Sequence, residues 1–137
     1  MFGVALALSC DGLISVKDII RKHLDMGEKC YFSTGYRFDG RKLAQSKKIL
    51  LYSKMENVYY LGNIEKIEFF GLKEGIPKDS DVYSPKEYAN IPQKAWFLIS
   101  NLRKKDLDDL KEYTYKDIAV SELIKKSKRG TKFYFSD

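Results

Sequence analysis

Apolar and polar positions along this chain repeat with two different periods, and the switches between them mark out its elements. Residues 2–9 form a nearly continuous apolar run, which predicts a buried strand, and Cys10-Asp11-Gly12 supplies the turn after it. The period then lengthens. Val16, Ile19, Ile20, His23 and Leu24 fall on one face at helical spacing, with Ser15 as N-cap, Asp18 three residues on, and Gly27 at the C-terminal cap position. A short strand is predicted at 29–34, and a loop at 36–42 whose Asp39-Gly40 step marks a turn.

The clearest strand pattern is a hairpin: residues 48–53 lead in, 54–57 turn, and 58–70 return, with Asn57 suited to the left-handed backbone such loops need. Gly62 interrupts the return strand. The apolar phase changes across it, since Val58, Tyr60 and Ile64 share one parity while Ile67 and Phe69 share the other. That phase change predicts a bulge in a strongly bent strand, which a small closed barrel requires at its corners. Residues 71–92 contain all three prolines and predict an irregular connection with one helical turn at 85–89. Residues 95–100 are apolar on both faces, as in a central strand covered on both sides. The tail predicts a short helix at 106–113, another near 121–127, and a last strand at 131–135.

Composition narrows the class. A chain of 137 residues suits one domain (1–137) with a real core, and 44% hydrophobic against 32% charged residues argues against disorder. An aromatic share of 14% favours strands over a helical bundle. The net charge of +6 points towards a polyanionic partner. With twenty Lys and five Arg, however, most of that charge lacks the bidentate guanidinium fork, and a solvated Lys-rich surface explains it equally well. Two cysteines, Cys10 and Cys30, are too few for a disulfide framework or a metal site, and read as reduced, buried thiols of a cytosolic protein. The apolar start carries no Lys or Arg before Lys17, so no targeting or transmembrane segment is expected, and the expected location is cytoplasmic.

Catalytic patterns are scarce. His23, the single histidine, lies on an apolar helix face, where a core role is expected. No Gly-rich phosphate loop follows a strand, and no carboxylate–histidine spacing suggests zinc or iron. Asp106, Asp108 and Asp109 fit the positive end of a helix dipole. No catalytic residue, metal or cofactor is therefore expected. Binding chemistry is better represented, in basic segments at 37–48, 103–105 and 125–132. The first is interleaved with Tyr36 and Phe38 and the last flanks Tyr134, which joins stacking surfaces to phosphate-binding cations. The same aromatics serve equally as core, and Trp96 reads either as core or, beside Ser100, Asn101 and Arg103, as the mouth of a pocket.

Three stretches carry a family likeness. They are Cys30-Tyr31-Phe32-Ser33-Thr34-Gly35, the hairpin containing Tyr59-Tyr60-Leu61-Gly62-Asn63-Ile64, and Ala95-Trp96-Phe97-Leu98-Ile99-Ser100-Asn101. In that order, over about residues 29–105, the chain resembles the PUA-like superfamily, especially its EVE and YTH branches. The resemblance implies an α+β fold, a small, bent, mostly antiparallel β-barrel flanked by short helices, that binds RNA or DNA and holds a modified or flipped base in an aromatic pocket. By position, Ser33 and Thr34 would hydrogen-bond the base, and Trp96 or an aromatic from 36–38 (Tyr36, Phe38) would stack on it. Asn101 would join the pocket mouth, while Arg37, Arg41, Arg103, Lys125, Lys126, Lys128 and Arg129 would follow the nucleic-acid backbone. No membrane partner is expected. Two other readings stand beside this one: a small inhibitor or adaptor that docks on a protein partner, and a metal-independent ribonuclease of the related ASCH type that uses a Lys or Tyr near residues 33–41.

Overall fold

The computed structural model describes residues 2–127 and 132–137. In chain order it runs β1 (Phe2–Ala7), α1 (Val16–Leu24), β2 (Lys29–Thr34), α2 (Gly40–Gln45), β3 (Ser46–Ser53), β4 (Val58–Phe69), α3 (Ser80–Tyr83) and β5 (Ala95–Lys104). A 3-10 helix (Leu107–Glu112), β6 (Thr114–Tyr115), β7 (Ile118–Ala119), α4 (Val120–Lys126) and β8 (Phe133–Ser136) complete it. The strands form one mixed eight-stranded sheet ordered β2-β5-β4-β3-β1-β8-β6-β7, in which only β1 and β3 are parallel neighbours. The α+β class and the mostly antiparallel pairing are as expected. No helix among the described residues is long and apolar enough to cross a membrane.

Local sequence accounts for most of these elements. Ser15 caps α1 by accepting from the Asp18 amide at 3.2 Å. Asp18 does not complete the reciprocal box; its carboxylate pairs with Arg21 at 2.9 Å. Glu56, from the β3–β4 turn, satisfies the first helical amides instead, accepting from Val16 N at 2.8 Å and Lys17 N at 3.3 Å. Asn57 is in the left-handed region, φ 55°. Four elements were not anticipated: α2, α3, β6 and β7. The Asp39-Gly40 step is a helix start rather than a simple turn, with Asp39 Oδ1 accepting from the Arg41 amide at 2.9 Å. Lys116 and Asp117 both take positive φ, 48° and 67°, and so link the two-residue strands β6 and β7 as a tight hairpin.

One face of the sheet builds the main core. Val4 and Leu6 of β1, Cys30 and Phe32 of β2, Ile49 and Leu51 of β3, and Phe97 and Ile99 of β5 all meet there, with Ile64 and Ile67 of β4 packed against them. In a flat sheet β1 and β2 would lie roughly 19 Å apart, at about 4.8 Å per strand. Their side chains share a core because the run β2-β5-β4-β3-β1 curls back on itself, and Tyr36, just after β2, donates its hydroxyl to the Ala7 carbonyl of β1 at 2.9 Å. The curl stops short of closure, which corrects the expected barrel. β1 gives one edge to β3 and the other to β8, so it has no free edge for β2, and the sheet ends at β2 and β7.

The opposite face carries a second cluster, in which Ala5, Leu50, Tyr52, Tyr59 and Leu61 pack against Val120 and Ile124 of α4, Leu110, Phe133 and Phe135. α1 closes one end of the curl, with Val16 and Ile20 against Val58. β5 is covered on both sides as expected. The outer covering is the connection after β4: the Trp96 indole donates to the Gly75 carbonyl at 2.8 Å, and the Tyr31 hydroxyl donates to Asp79, which also accepts from Lys66 at 3.2 Å. Cys30 is buried, as read from the sequence, but Cys10 is exposed, because β1 ends at Ala7 and the chain turns outward before it.

Gly62 sits at the bend. The β4–β5 register shifts between Leu61 and Asn63 and again between Ile64 and Lys66, so the anticipated bulge is present. A Cβ at position 62 would lie 2.6 Å from Ile99 Cγ2, 3.1 Å from Leu102 Cδ1 and 3.2 Å from the Ser100 carbonyl. Gly62→Ala is therefore expected to lower stability by about 1–3 kcal/mol through overpacking. Urea unfolding should show a lower midpoint with unchanged slope, and an unchanged midpoint would mean that the two strands separate freely there.

Candidate functional site

The C-terminal ends of β1 and β2 diverge where the curl fails to close, and a cleft of about 510 Å³ opens between them. The chain following β1, through Asp11, forms one wall, and Phe32, Ser33, Thr34, Gly35 and Tyr36 form another. Ile19 and His23 of α1, with Tyr88 and Gln93 of the Pro-containing connection, complete the lining. Apolar rings and scattered polar groups make this a small-ligand type of surface.

His23 is only 4% exposed. Its Nδ1 lies 2.7 Å from the Ile19 carbonyl, and since a carbonyl only accepts, Nδ1 carries the proton and Nε2 the lone pair. Burial lowers its pKa and holds the ring neutral, against the smaller opposing effects of that hydrogen bond and of Glu87. The ring packs on Phe32, with centroids 5.2 Å apart, and stacks on Tyr88 at 5.4 Å and 19°. The Tyr88 hydroxyl is buried and has no hydrogen-bond partner among the described residues, and burial first, then Asp11, raises its pKa.

A basic and aromatic patch adjoins the cleft. Tyr36, on the cleft wall, meets Phe38 edge-on at 6.5 Å, and Phe38 meets core Phe97 at 5.8 Å. Lys132 lies over the Phe38 ring at 4.9 Å, and its pKa is lowered by burial and by the nearby Arg37. Lys42 lies over Tyr134 at 5.6 Å, and Tyr134 stacks on Phe2 at 5.7 Å. Arg37, Arg41, Lys42 and Lys132 have no acidic ion-pair partner among the described residues, whereas Lys22, Lys29, Lys66 and Lys125 do.

The expected site residues divide into groups. Ser33, Thr34 and Tyr36 line the cleft together, Arg37 and Phe38 belong to the patch beside it, and Arg41 lies in the first turn of α2 next to Lys42. Two of the hydroxyls are already engaged: Thr34 Oγ1 accepts from the Tyr36 amide at 3.2 Å, and the Tyr36 phenol is bound to Ala7. Trp96 does not line the cleft. It is fully buried on the other face of β5, edge-on to Tyr31 at 5.8 Å, so a stacking role for it is excluded. Asn101 and Arg103 are bonded to each other at 2.8 Å beyond the far end of β2, roughly 17 Å along the strand from Thr34. Lys125 and Lys126 are carried by α4 on the opposite face of the sheet, where Lys125 contacts Asp108 at 3.8 Å. Lys128 and Arg129 lie outside the described residues. Sequence reasoning missed the cleft role of His23 and Tyr88. His23 does pack in the core as expected, and Tyr88 lies in a segment without periodic pattern, so neither carried a signal of its place on the wall.

No family model, curated protein or solved structure matches this chain.

The buried neutral histidine generates a pH dependence. The unfolded chain takes up a proton at the ordinary value of 6.5, while the folded chain resists until a lower pH. Below 6.5 the unfolded state therefore binds more protons, and stability falls as the pH drops from there towards the folded pKa. Urea midpoints measured from about pH 7.5 to about pH 5 should decline, and His23→Phe should remove part of that decline. An identical pH profile in the variant would show that other groups carry it.

Proposed function

We propose that this chain is a nucleic-acid-binding domain of PUA-like architecture that takes a base, flipped out or single-stranded, into the cleft between β1 and β2. In this reading the patch formed by Arg37, Arg41, Lys42 and Lys132 follows the phosphates, with Phe38 and Tyr134 as the aromatic surfaces between them. The observation that carries it is Lys132 over the Phe38 ring at 4.9 Å, with Arg37, from the other half of the chain, near enough to act on its charge, beside the cleft wall at Tyr36. Two cations that raise each other's electrostatic cost favour an anion bound near both. Cations over aromatic faces beside a partly apolar cleft are the combination that holds single-stranded backbone and stacks bases without a duplex. The curl of β2-β5-β4-β3-β1 around one core supports the family reading, as an open form of the small bent barrel.

Fluorescence anisotropy with single-stranded RNA and DNA oligonucleotides across a salt series tests this reading. Binding should weaken linearly with the logarithm of salt, and the Arg37→Ala, Lys132→Ala double variant should reduce the slope by about 1.4, at about 0.7 for each phosphate no longer neutralised. Lys111→Ala, on the opposite side of the sheet, should leave the slope unchanged. Absence of binding at low salt, or an unaltered slope in the double variant, would overturn the proposal; a protein partner that survives nuclease treatment would then define the chain instead.

A further inference from the structure

The charge of the cleft lining decides which part of a ligand enters it. Among the described residues that line it, Asp11 is the one acidic side chain and none is Lys or Arg. A phosphate is disfavoured there and belongs with the cations outside, whereas a neutral ring suits the cleft. Gln93 is the lining residue placed to recognise such a ring. Its backbone is fixed by a two-way bridge: the Gln93 amide donates to the Gly75 carbonyl at 3.0 Å, and the Gly75 amide donates back at 3.0 Å. The side chain crosses to Gly35, just past the end of β2, where Oε1 lies 3.2 Å from the position a Cβ on residue 35 would take. Gly35 is exposed, Gln93 is half-buried, and both line the cleft. Neither atom of the Gln93 side-chain amide has a hydrogen-bond partner. Neither is sealed from solvent, since among the described residues the buried side-chain polar atoms without partners are the hydroxyls of Ser84 and Tyr88. A carboxamide holds a donor beside an acceptor in fixed covalent geometry, whichever way the group is turned. One residue therefore supplies the complement of a heterocycle edge on which an N–H stands beside a lone pair.

We propose that Gln93 is the specificity-determining residue of the cleft: its side-chain oxygen accepts an N–H from the edge of a nucleobase, and its NH2 donates to the adjacent ring nitrogen or carbonyl. This inference rests on the nucleic-acid reading above and adds the chemistry by which the base is chosen. The cleft takes a base with an intact N–H beside an acceptor and rejects one in which methylation has removed it. A site built to pair such a group discriminates against an analogue lacking it, because its own polar atoms lose water on binding and are then left unpaired.

The test uses single-stranded oligonucleotides of one length and charge that carry, at one position, adenine or N6,N6-dimethyladenine, and in a second pair uracil or N3-methyluracil. For the intact chain, the unblocked base of at least one pair should bind about tenfold tighter than its blocked counterpart. Gln93→Met keeps the length of the side chain without its polar atoms, and should bring that ratio to within about twofold while leaving the salt slope intact. Gln93→Glu exchanges the donor for a second acceptor, which matches the paired N–H groups on the Watson–Crick edge of guanine. It should raise the ratio of guanine-strand to adenine-strand affinity about tenfold over that of the intact chain. Equal binding of blocked and unblocked strands with a normal salt slope would overturn this inference while leaving the nucleic-acid reading standing. A preference that survives Gln93→Met, or a guanine-to-adenine ratio unmoved by Gln93→Glu, would also overturn it. Failure of every strand to bind at low salt would remove both.

Discussion

The close passage of β4 over β5 at Gly62 is the constraint on which the remaining geometry depends. A side chain there would meet Ile99, Leu102 and the Ser100 carbonyl, so hydrogen alone lets the strands approach while two register shifts bend the ladder. That bend turns β2 back towards β1, so Phe32 of one and Val4 of the other occupy the same core. It also brings the Tyr36 phenol within reach of the Ala7 carbonyl. Because β1 is already paired on both edges, the approach ends in an open seam instead of a ladder, and the cleft is that seam.

Polar groups around the seam fall into those the fold uses and those it does not. Thr34, Tyr36, Glu56 and Asp39 each complete a backbone group at an element end, work that any version of this fold would require. The same holds for the Tyr31–Asp79–Lys66 contact, which ties the connection after β4 to the outer face of the sheet, where burial pushes the Tyr31 pKa up to about 12 against the opposing effect of Lys66. The fold makes no such use of the Gln93 side-chain amide, or of the cations above Phe38 and Tyr134. Groups that stability does not consume are where ligand chemistry is sought.

Much of the scaffold was legible from residue order. Ser15 as a cap, Asn57 as a left-handed turn residue, Gly62 as a bulge, and 95–100 as a doubly covered strand each follow from local stereochemistry or strict periodicity, and each is present. The misses are cases where a local signal has two readings. Asp39-Gly40 is both a turn dipeptide and an N-cap followed by a tolerant first residue, and only the packing of Leu43 into the core selects the helix. Trp96 among apolar neighbours fits a core or a pocket, and the Gly75 carbonyl that takes its indole proton comes from a distant, aperiodic segment.

The sequence by itself determined an α+β chain with a bent hairpin, its buried strands, and a surplus of positive charge near aromatic residues, since these depend on spacing and on side chains within one turn or one strand. Tertiary structure alone decided which of those residues share a site. It set Lys132 over Phe38, moved Asn101 and Arg103 to the far end of β2, sealed Trp96 into the core, and put His23 and Tyr88 on the cleft wall. The physical reason is that strand order and curl, which are properties of the whole sheet, determine which face each strand presents and where its ends lie, and no local window of sequence contains them.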